Sequence, residues 1–251
     1  MLKIFLAKDF YYLQSQGVKA QRHHHAAPQI SVVGPQDVLF WGSEQGGGLF
    51  FPPECPHAVE SPGLIHTFFL NPVHPAARAM AEKTPAEGFF RVPQEVRRQL
   101  TGLRPLPDSG AALRGCLDLL LGELVDSRED AEPLDERIRE VVDSIDRLEQ
   151  KRIAAEELAK QIALSESRFL HLFKEEMKMT LRKYLLWTRV LEGARRVALG
   201  ESITEAAHAA GFTDSAHFAR SFKKMFGLTL SGALGQEADL QLVMEGGVAS
   251  S

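Results

Sequence analysis

Cysteine is almost absent: Cys55 and Cys116 are the only two in 251 residues. They build no disulfide framework and are expected as reduced thiols, so a buried core must hold the fold. No apolar run reaches 18 residues, which excludes a long membrane-spanning helix. The opening M-L-K-I-F-L-A-K-D-F-Y-Y alternates like a strand and lacks a small-residue cleavage site, so a signal peptide is not expected. These absences predict a cytoplasmic protein with no membrane partner. At this length the chain has room for one large domain or two ordinary ones.

A surplus of positive charge is also missing, since the net charge is −4. The balance is uneven, however. Residues 151–235 hold 14 Lys and Arg against 9 Asp and Glu, leaving 15 basic and 24 acidic residues elsewhere. One segment is therefore at +5 and the remainder at −9. This asymmetry suits a phosphate-contacting domain joined to a partner that does not touch nucleic acid.

From residue 1 to about 70 the pattern is β. Short apolar or alternating runs at 3–6, 29–33, 38–41, 49–51 and 63–70 are separated by Gly, Pro and polar residues, which predicts a small sandwich or barrel. Six of the nine histidines fall in or just after this stretch: His23, His24, His25, His57, His66 and His74. Because side chains alternate along a strand, His23 and His25 share one face, and His57 from a neighbouring strand could join them. Three imidazoles with the amide of Gln29 would offer a divalent ion three nitrogens and one oxygen. The competing reading has the same histidines lining a ligand pocket or bonding to the backbone without metal. Cys55, between prolines, reads as a turn residue, and Phe40, Trp41, Phe50, Phe51, Phe68 and Phe69 read as core.

Prolines at 72, 75, 85, 93, 105 and 107 punctuate the next stretch. A longer helix follows over 110–125, with leucines at 113, 117, 120, 121 and 124 on one face. That face could cover an open side of the barrel or pair with its copy in a homodimer. The polar run S-R-E-D-A-E-P-L at 127–134 reads as an interdomain linker.

Beyond it the periodicity is helical. Leu134, Ile138, Val141, Val142, Ile145 and Leu148 face one way on an opening helix. In residues 203–226 helical spacing is interrupted once, at Gly211, where the left-handed conformation ends a helix cheaply and Asp214 can cap the next. Small Ala206, Ala207 and Ala210 allow close packing of the two helices. A related pair precedes it: Leu158, Ala159 and Ile162, then Leu164 in the turn, Ser165 as cap, and Phe169, Leu172 and Phe173. The copies align as S-E-S-R-F-L-H-L-F-K and D-S-A-H-F-A-R-S-F-K, so the unit is internally duplicated. Between them Thr180 can cap a helix of about 20 residues, roughly 30 Å.

Ala207, Gly211, Phe212, Asp214, His217, Phe218, Arg220, Phe222, Lys223, Phe226 and Gly227 stand in register with a signature of the sense iAxxxGFxDxSHFxRxFKxxFG. The segment resembles the second helix-turn-helix of the AraC/XylS family of bacterial transcription regulators. The resemblance implies an α+β chain: a small β-barrel sensor over 1–75, a helical connector or dimerisation region over 76–132, an all-α domain with two helix-turn-helix units over 133–235, and a flexible tail over 236–251. It implies double-stranded DNA, RNA polymerase and a small-molecule effector as partners, in a transcriptional activator. The family's base-reading positions fall on Ser167, Leu170 and His171 in the first copy and on Ser215, Ala216, Ala219 and Arg220 in the second. Of these only Arg220 has a sharp expectation, a two-bond grip on guanine. Lys174, Arg182, Lys183, His217, Lys223 and Lys224 are phosphate candidates, and His217 could instead orient its corner. Lys178 replaces a family Gly after the first recognition helix, which should cost up to about 1 kcal/mol if that residue is left-handed. Leu181 and Leu230 replace prolines at helix starts.

The spacing of Gly17, His23, His25 and Gln29, then of Gly46, Pro52, His57 and Ser61, resembles the two cupin motifs. Gln29 stands where that family has a Glu ligand, Glu54 where it has Gly, and Ser61 where it has Asn. The resemblance implies Zn, Ni or Fe as a candidate but not obligatory cofactor at His23, His25, Gln29 and His57. Two alternatives to a ligand-responsive regulator follow. One is a cupin metalloenzyme of isomerase or dioxygenase type with an appended DNA-binding domain, although no general base is evident. The other is a DNA-binding module whose barrel serves only as a scaffold.

Overall fold

The computed structural model describes residues 2–7, 9–34, 37–41, 44–82, 90–94, 97–98, 110–124, 133–234, 240–244 and 247–248. The chain parts into two compact units, Met1–Ala131 with Lys223–Ser251, and Glu132–Phe222. The boundary near 132 falls within the expected linker, most of which lies outside the described residues.

The first unit is a ten-stranded sheet ordered β10-β9-β1-β2-β7-β3-β6-β8, with β4 and β5 branching from β7. Its strands are β1 (Leu2–Leu6), β2 (Phe10–His23), β3 (Gln29–Val33), β4 (Leu39–Trp41), β5 (Glu44–Gly46), β6 (Gly48–Phe51), β7 (His57–Leu70), β8 (Phe90–Arg91), β9 (Leu240–Met244) and β10 (Gly247–Val248). Among the described residues the sheet does not close, so the expected barrel is corrected to an open sheet. The reason lies in β7. It pairs with β2 along one edge, while its other edge meets β3 over residues 65–69 and β4 at Glu60, so the sheet forks rather than returning on itself.

Strand β2 is longer than the sequence reading placed it: both its ends read as strand-like, but the polar stretch over 14–19 leaves no apolar run to join them. Its pairing with β7 carries two register shifts, one at Gly17, where φ is +67°, and one between Ala20 and His23. The second brings His23 opposite His57. Where a flexible tail was expected, Leu240–Met244 instead lies parallel to β1.

Two buried clusters sandwich the strands. Phe10, Tyr12, Ile30, Val32, Phe50 and Phe68 meet helices α1 (Pro75–Glu82) and α2 (Gly110–Leu124) through Ala77, Leu113, Leu117, Leu120 and Leu121. The leucine face of α2 therefore covers the sheet inside its own unit, and the stretch read as a separate connector contributes to the sensor core. Arg114 of α2 adds a two-pronged ion pair to Asp9, at 2.5 and 2.9 Å, with its guanidinium 5.3 Å from the Phe10 ring centre. On the other side Ala20, Val33, Leu39, Leu49, Phe51, Val59 and Ile65 form the second cluster. Of the aromatics read as core, Phe40 is instead 41% exposed.

The second unit is helical. Helix α3 (Glu136–Arg147) buries Ile138, Val141, Val142 and Ile145, as its spacing predicts. Lys151 turns back on its end, donating to the carbonyls of Ile145 and Asp146 at 3.0 and 2.6 Å. Then come α4 (Ala155–Gln161), α5 (Glu166–Met177), α6 (Leu181–Ala198), α7 (Ile203–Ala209) and α8 (Ser215–Phe226), with α9 (Leu230–Leu234) after it. The division between units falls within α8.

Candidate nucleic-acid interface and histidine cluster

Each helix-turn-helix is set by its caps. Ser165 accepts from Arg168 N at 3.3 Å to start α5, and Asp214 accepts from His217 N at 2.6 Å to start α8. Helix α7 opens with a reciprocal cap between Ser202 and Glu205. Thr180 accepts from Lys183 N at 3.4 Å and starts α6, whose 18 residues span about 27 Å.

Both corners close the same way in the backbone. Leu164 N donates to Ala159 O at 3.0 Å, and Phe212 N donates to Ala207 O at 2.9 Å. The left-handed residue is Ala163 in the first corner and Gly211 in the second. Lys178 is left-handed too, with φ +55°, as its place after α5 predicts.

Helix α6 is the rod between the copies, and both recognition helices pack on it. Phe173 of α5 meets Tyr184 at 5.7 Å between ring centres. Phe218 of α8, fully buried, lies directly over Gly193. A Cβ at 193 would stand 2.7 and 2.8 Å from two carbons of that ring. Sequence reading passed over Gly193, although a lone glycine inside a helical pattern is the available signal of close approach.

With the inner faces buried, the residues singled out for DNA lie outside. Ser167, Leu170, His171, Lys174, Arg182 and Lys183 are exposed, as are Ala216, Arg220, Lys223 and Lys224, while Ser215 and Ala219 are half-buried. His217 is half-buried as well. Its ring stands edge-on to Phe212 at 5.2 Å, the geometry of a side chain that orients the corner. Part of the basic surplus is used within the fold. Burial pushes the Glu192 carboxyl up, but Arg195 and Arg196, bonding at 2.7 to 2.9 Å, outweigh it and hold that group below its usual range.

In the first unit His23, His25 and His57 come together, all buried, with candidate ligand nitrogens within 4.8 Å of one another. Each ring gives Nδ1 to a backbone carbonyl two residues away: His23 to Gln21 at 2.7 Å, His25 to Ala27 at 2.6 Å and His57 to Cys55 at 2.8 Å. A carbonyl only accepts, so each Nδ1 carries the proton. Gln29 Oε1 lies 2.9 Å from His25 Nε2 and 3.2 Å from His57 Nε2, while its amide nitrogen donates to Ser31 Oγ at 2.8 Å. Burial, with the neighbouring imidazoles, lowers all three histidines, His25 to about 4. His24, just beyond the end of β2, sits outside the cluster near Glu54 at 3.4 Å. His66 bonds Tyr12 elsewhere, and Cys55 contributes its carbonyl, not its thiol.

Comparison with known proteins bears on the helical residues first. A helix-turn-helix domain model matches residues 158–235. Over 70 residues the chain is 41% identical to the HTH-type transcriptional activator RhaS of Pectobacterium atrosepticum, covering 28% of this chain and 25% of that one. Residues 158–235 form a helix-turn-helix domain. The RhaS of Pectobacterium carotovorum subsp. carotovorum is 46% identical over 54 residues, 21% of this chain and 19% of that protein. The chain thus spans about a quarter or less of the length of these relatives. Across both units the fold is that of ToxT from Vibrio cholerae O395, with a TM-score of 0.57, 10% identity and coverage of 91% of this chain and 98% of that one. A further ToxT structure, from Vibrio cholerae strain SCE256 and bound to an unsaturated fatty acid, has a TM-score of 0.53 at 10% identity, covering 91% and 95%. The helix-turn-helix resemblance and the fold class read from the sequence, strands followed by a helical region, are borne out. No comparison supports the metalloenzyme alternative, and no helix among the described residues is long and apolar enough to cross a membrane.

Proposed function

We propose that the protein is a sequence-specific DNA-binding transcription regulator, not an enzyme, whose first unit senses a small ligand. The observation that carries the reading is the pair of capped recognition helices packed on one 18-residue rod. At about 27 Å the rod is comparable to the roughly 34 Å of one duplex turn, the spacing at which two helices enter successive major grooves. Arg220 reads a guanine, while Ser167, Leu170, His171, Ser215, Ala216 and Ala219 provide the other base-edge contacts. Lys174, Arg182, Lys183, Lys223 and Lys224 hold phosphates. His217 assists by fixing the corner.

The ligand reading rests on a buried, polar-lined histidine cluster and on a fold shared with a protein solved with a fatty acid. Activation is proposed from likeness to the activators matched, and contact with RNA polymerase and cytoplasmic residence are proposed alongside it. A homodimer would need a surface other than the leucine face of α2, which is occupied within its unit.

The test is binding to a selected operator and to random duplex over a range of salt. Arg220→Ala should lose about 1–3 kcal/mol of preference at one base position. Lys223→Ala should weaken all sequences alike and lower the salt slope by about 1. Equal losses on both duplexes for both variants would remove Arg220 as a reader.

A further inference from the structure

Helix α6 treats its arginines in two ways. Toward its end Arg195 and Arg196 pair with Glu192 at 2.8 and 2.7 Å, and Arg196 also reaches Glu201 at 3.0 Å. Arg182 and Arg189, nearer its start, meet no carboxylate among the described residues. Arg189 is half-buried and gives Nε to the carbonyl of Leu185 at 3.1 Å, which leaves the two Nη groups of its fork without a partner among the described residues.

A third arginine reaches the same place from outside the helix. Gly211, the left-handed residue of the second corner, lies against the stems of Arg152 and Arg189: a Cβ there would stand 3.6 Å from Arg152 Cβ and 3.6 Å from Arg189 Cδ. The Arg152 side chain is exposed and has no partner either among the described residues. Arg182 stands two turns before Arg189 on the same face of α6, about 10 Å along the axis, within reach of two long side chains. Burial, then the charges of Arg152 and Arg182, hold the Arg189 guanidinium below its usual range. Asp214, the acid nearest the corner in sequence, spends its carboxylate on His217 N and Thr213 Oγ1.

Three like charges gathered with no acid between them cost free energy in the unbound protein. An anion removes that cost, and the guanidinium fork matches two oxygens of a phosphate. We propose that Arg152, Arg182 and Arg189 form one clamp for a phosphodiester group of the duplex backbone, in the stretch between the two major grooves that the recognition helices enter. The clamp rests on the DNA-binding reading and extends it, because Arg152 and Arg189 lie outside both recognition helices.

The experiment measures duplex binding by the full chain over a range of salt, with Arg152→Gln, Arg189→Gln and the double variant. Each single change should weaken operator and random duplex alike by about tenfold and lower the salt slope by about 1. Since both arginines act on one phosphate, the double variant should lose little beyond either single one. Replacing operator phosphates one at a time with neutral methylphosphonate should locate that group: at one position between the grooves the replacement weakens the unaltered chain and leaves Arg152→Gln unaffected. Thermal unfolding without DNA checks the fold. Arg152→Gln should leave the midpoint unchanged or raised, because like charge is relieved, whereas a merely structural arginine would lower it. Unaltered affinity and slope in the folded variants overturn the clamp, as do losses that add in the double variant. Inorganic phosphate, compared with chloride at equal ionic strength, tests the other source of the same chemistry. Stabilisation by phosphate that both variants lose, with their duplex affinity unchanged, makes this a site for a small anion and overturns the proposal. An unaltered chain that binds no duplex removes the DNA-binding reading as well, whereas steep salt-dependent binding shared by every variant removes the clamp alone.

Discussion

Gly193→Ala sets two opposing effects against each other at the point where the second recognition helix meets the rod. In a helix interior the change would ordinarily stabilise by roughly 0.5–1 kcal/mol, because alanine loses less backbone freedom. Here the new methyl would stand 2.7 and 2.8 Å from carbons of Phe218, against ordinary carbon contacts of about 3.5–4.0 Å. That ring is fully buried, with Phe212 at 5.1 Å and Phe222 at 6.5 Å between centroids, so it has no empty space to turn into. Overpacking of this kind costs about 1–3 kcal/mol, and the net expectation is a loss of about 1–2 kcal/mol. Helix α8 must shift away from the rod, so specific affinity should fall while salt-dependent binding to random duplex is kept. Denaturant unfolding and operator binding read the two effects. Phe218→Leu in the same chain should restore part of the loss, with a coupling of about 0.5–3 kcal/mol. A stabilised Gly193→Ala protein with unaltered operator affinity would refute the argument.

Two further outcomes follow. Burial raises the Asp9 carboxyl, but Arg114 outweighs it, so the folded pKa lies below 3.8; the pair stabilises above that pH and the contribution is lost as pH falls through the folded value. Both groups are partly solvated, so Asp9→Asn should cost under about 1 kcal/mol at pH 7, a difference from the unaltered chain that vanishes in acid unfolding curves. Ala163→Gly and Lys178→Gly should each stabilise the second unit by roughly 0.5–1 kcal/mol in thermal unfolding, and a loss on either would show that the side chain is worth more than its strain.

The second unit was legible because its signals are local. Caps at Ser165, Thr180 and Asp214, the left-handed Gly211 and Lys178, and the buried face of α3 each depend on residues within a turn or two of one another. What escaped was non-local. Gly193 matters only because Phe218 lies over it, 25 positions on, and the fork in the sheet arises from three partners competing for the two edges of β7. The histidine spacing did anticipate that His23, His25 and His57 come together, but not by alternation: β2 ends at His23, and His25 joins the cluster from the residues that follow the strand. The three carbonyls that fix their tautomers could not be read, because a carbonyl carries no residue identity. Ala163 shows the limit from the other side: nothing in its side chain announces a left-handed backbone.

That residue makes the two copies unequal. The corners share their closing hydrogen bonds, yet the second uses Gly211 where the first uses Ala163, and Gly227 follows α8 where Lys178 follows α5. A side chain in the left-handed region costs roughly 1–2 kcal/mol, so the first copy carries two such penalties that the second avoids. The first also lacks a side-chain cap on α4, whose preceding residue is Ala154, whereas α7 begins with the Ser202 and Glu205 box. All three differences have the same sign. Local opening should therefore begin in the first corner, and native-state hydrogen exchange should release the amides of α4 before those of α7. A head that opens readily is ordered at the moment it meets DNA, so part of its contact energy offsets that ordering. The better-braced second head, with Arg220 as its reader, is then the one that sets the register on the duplex.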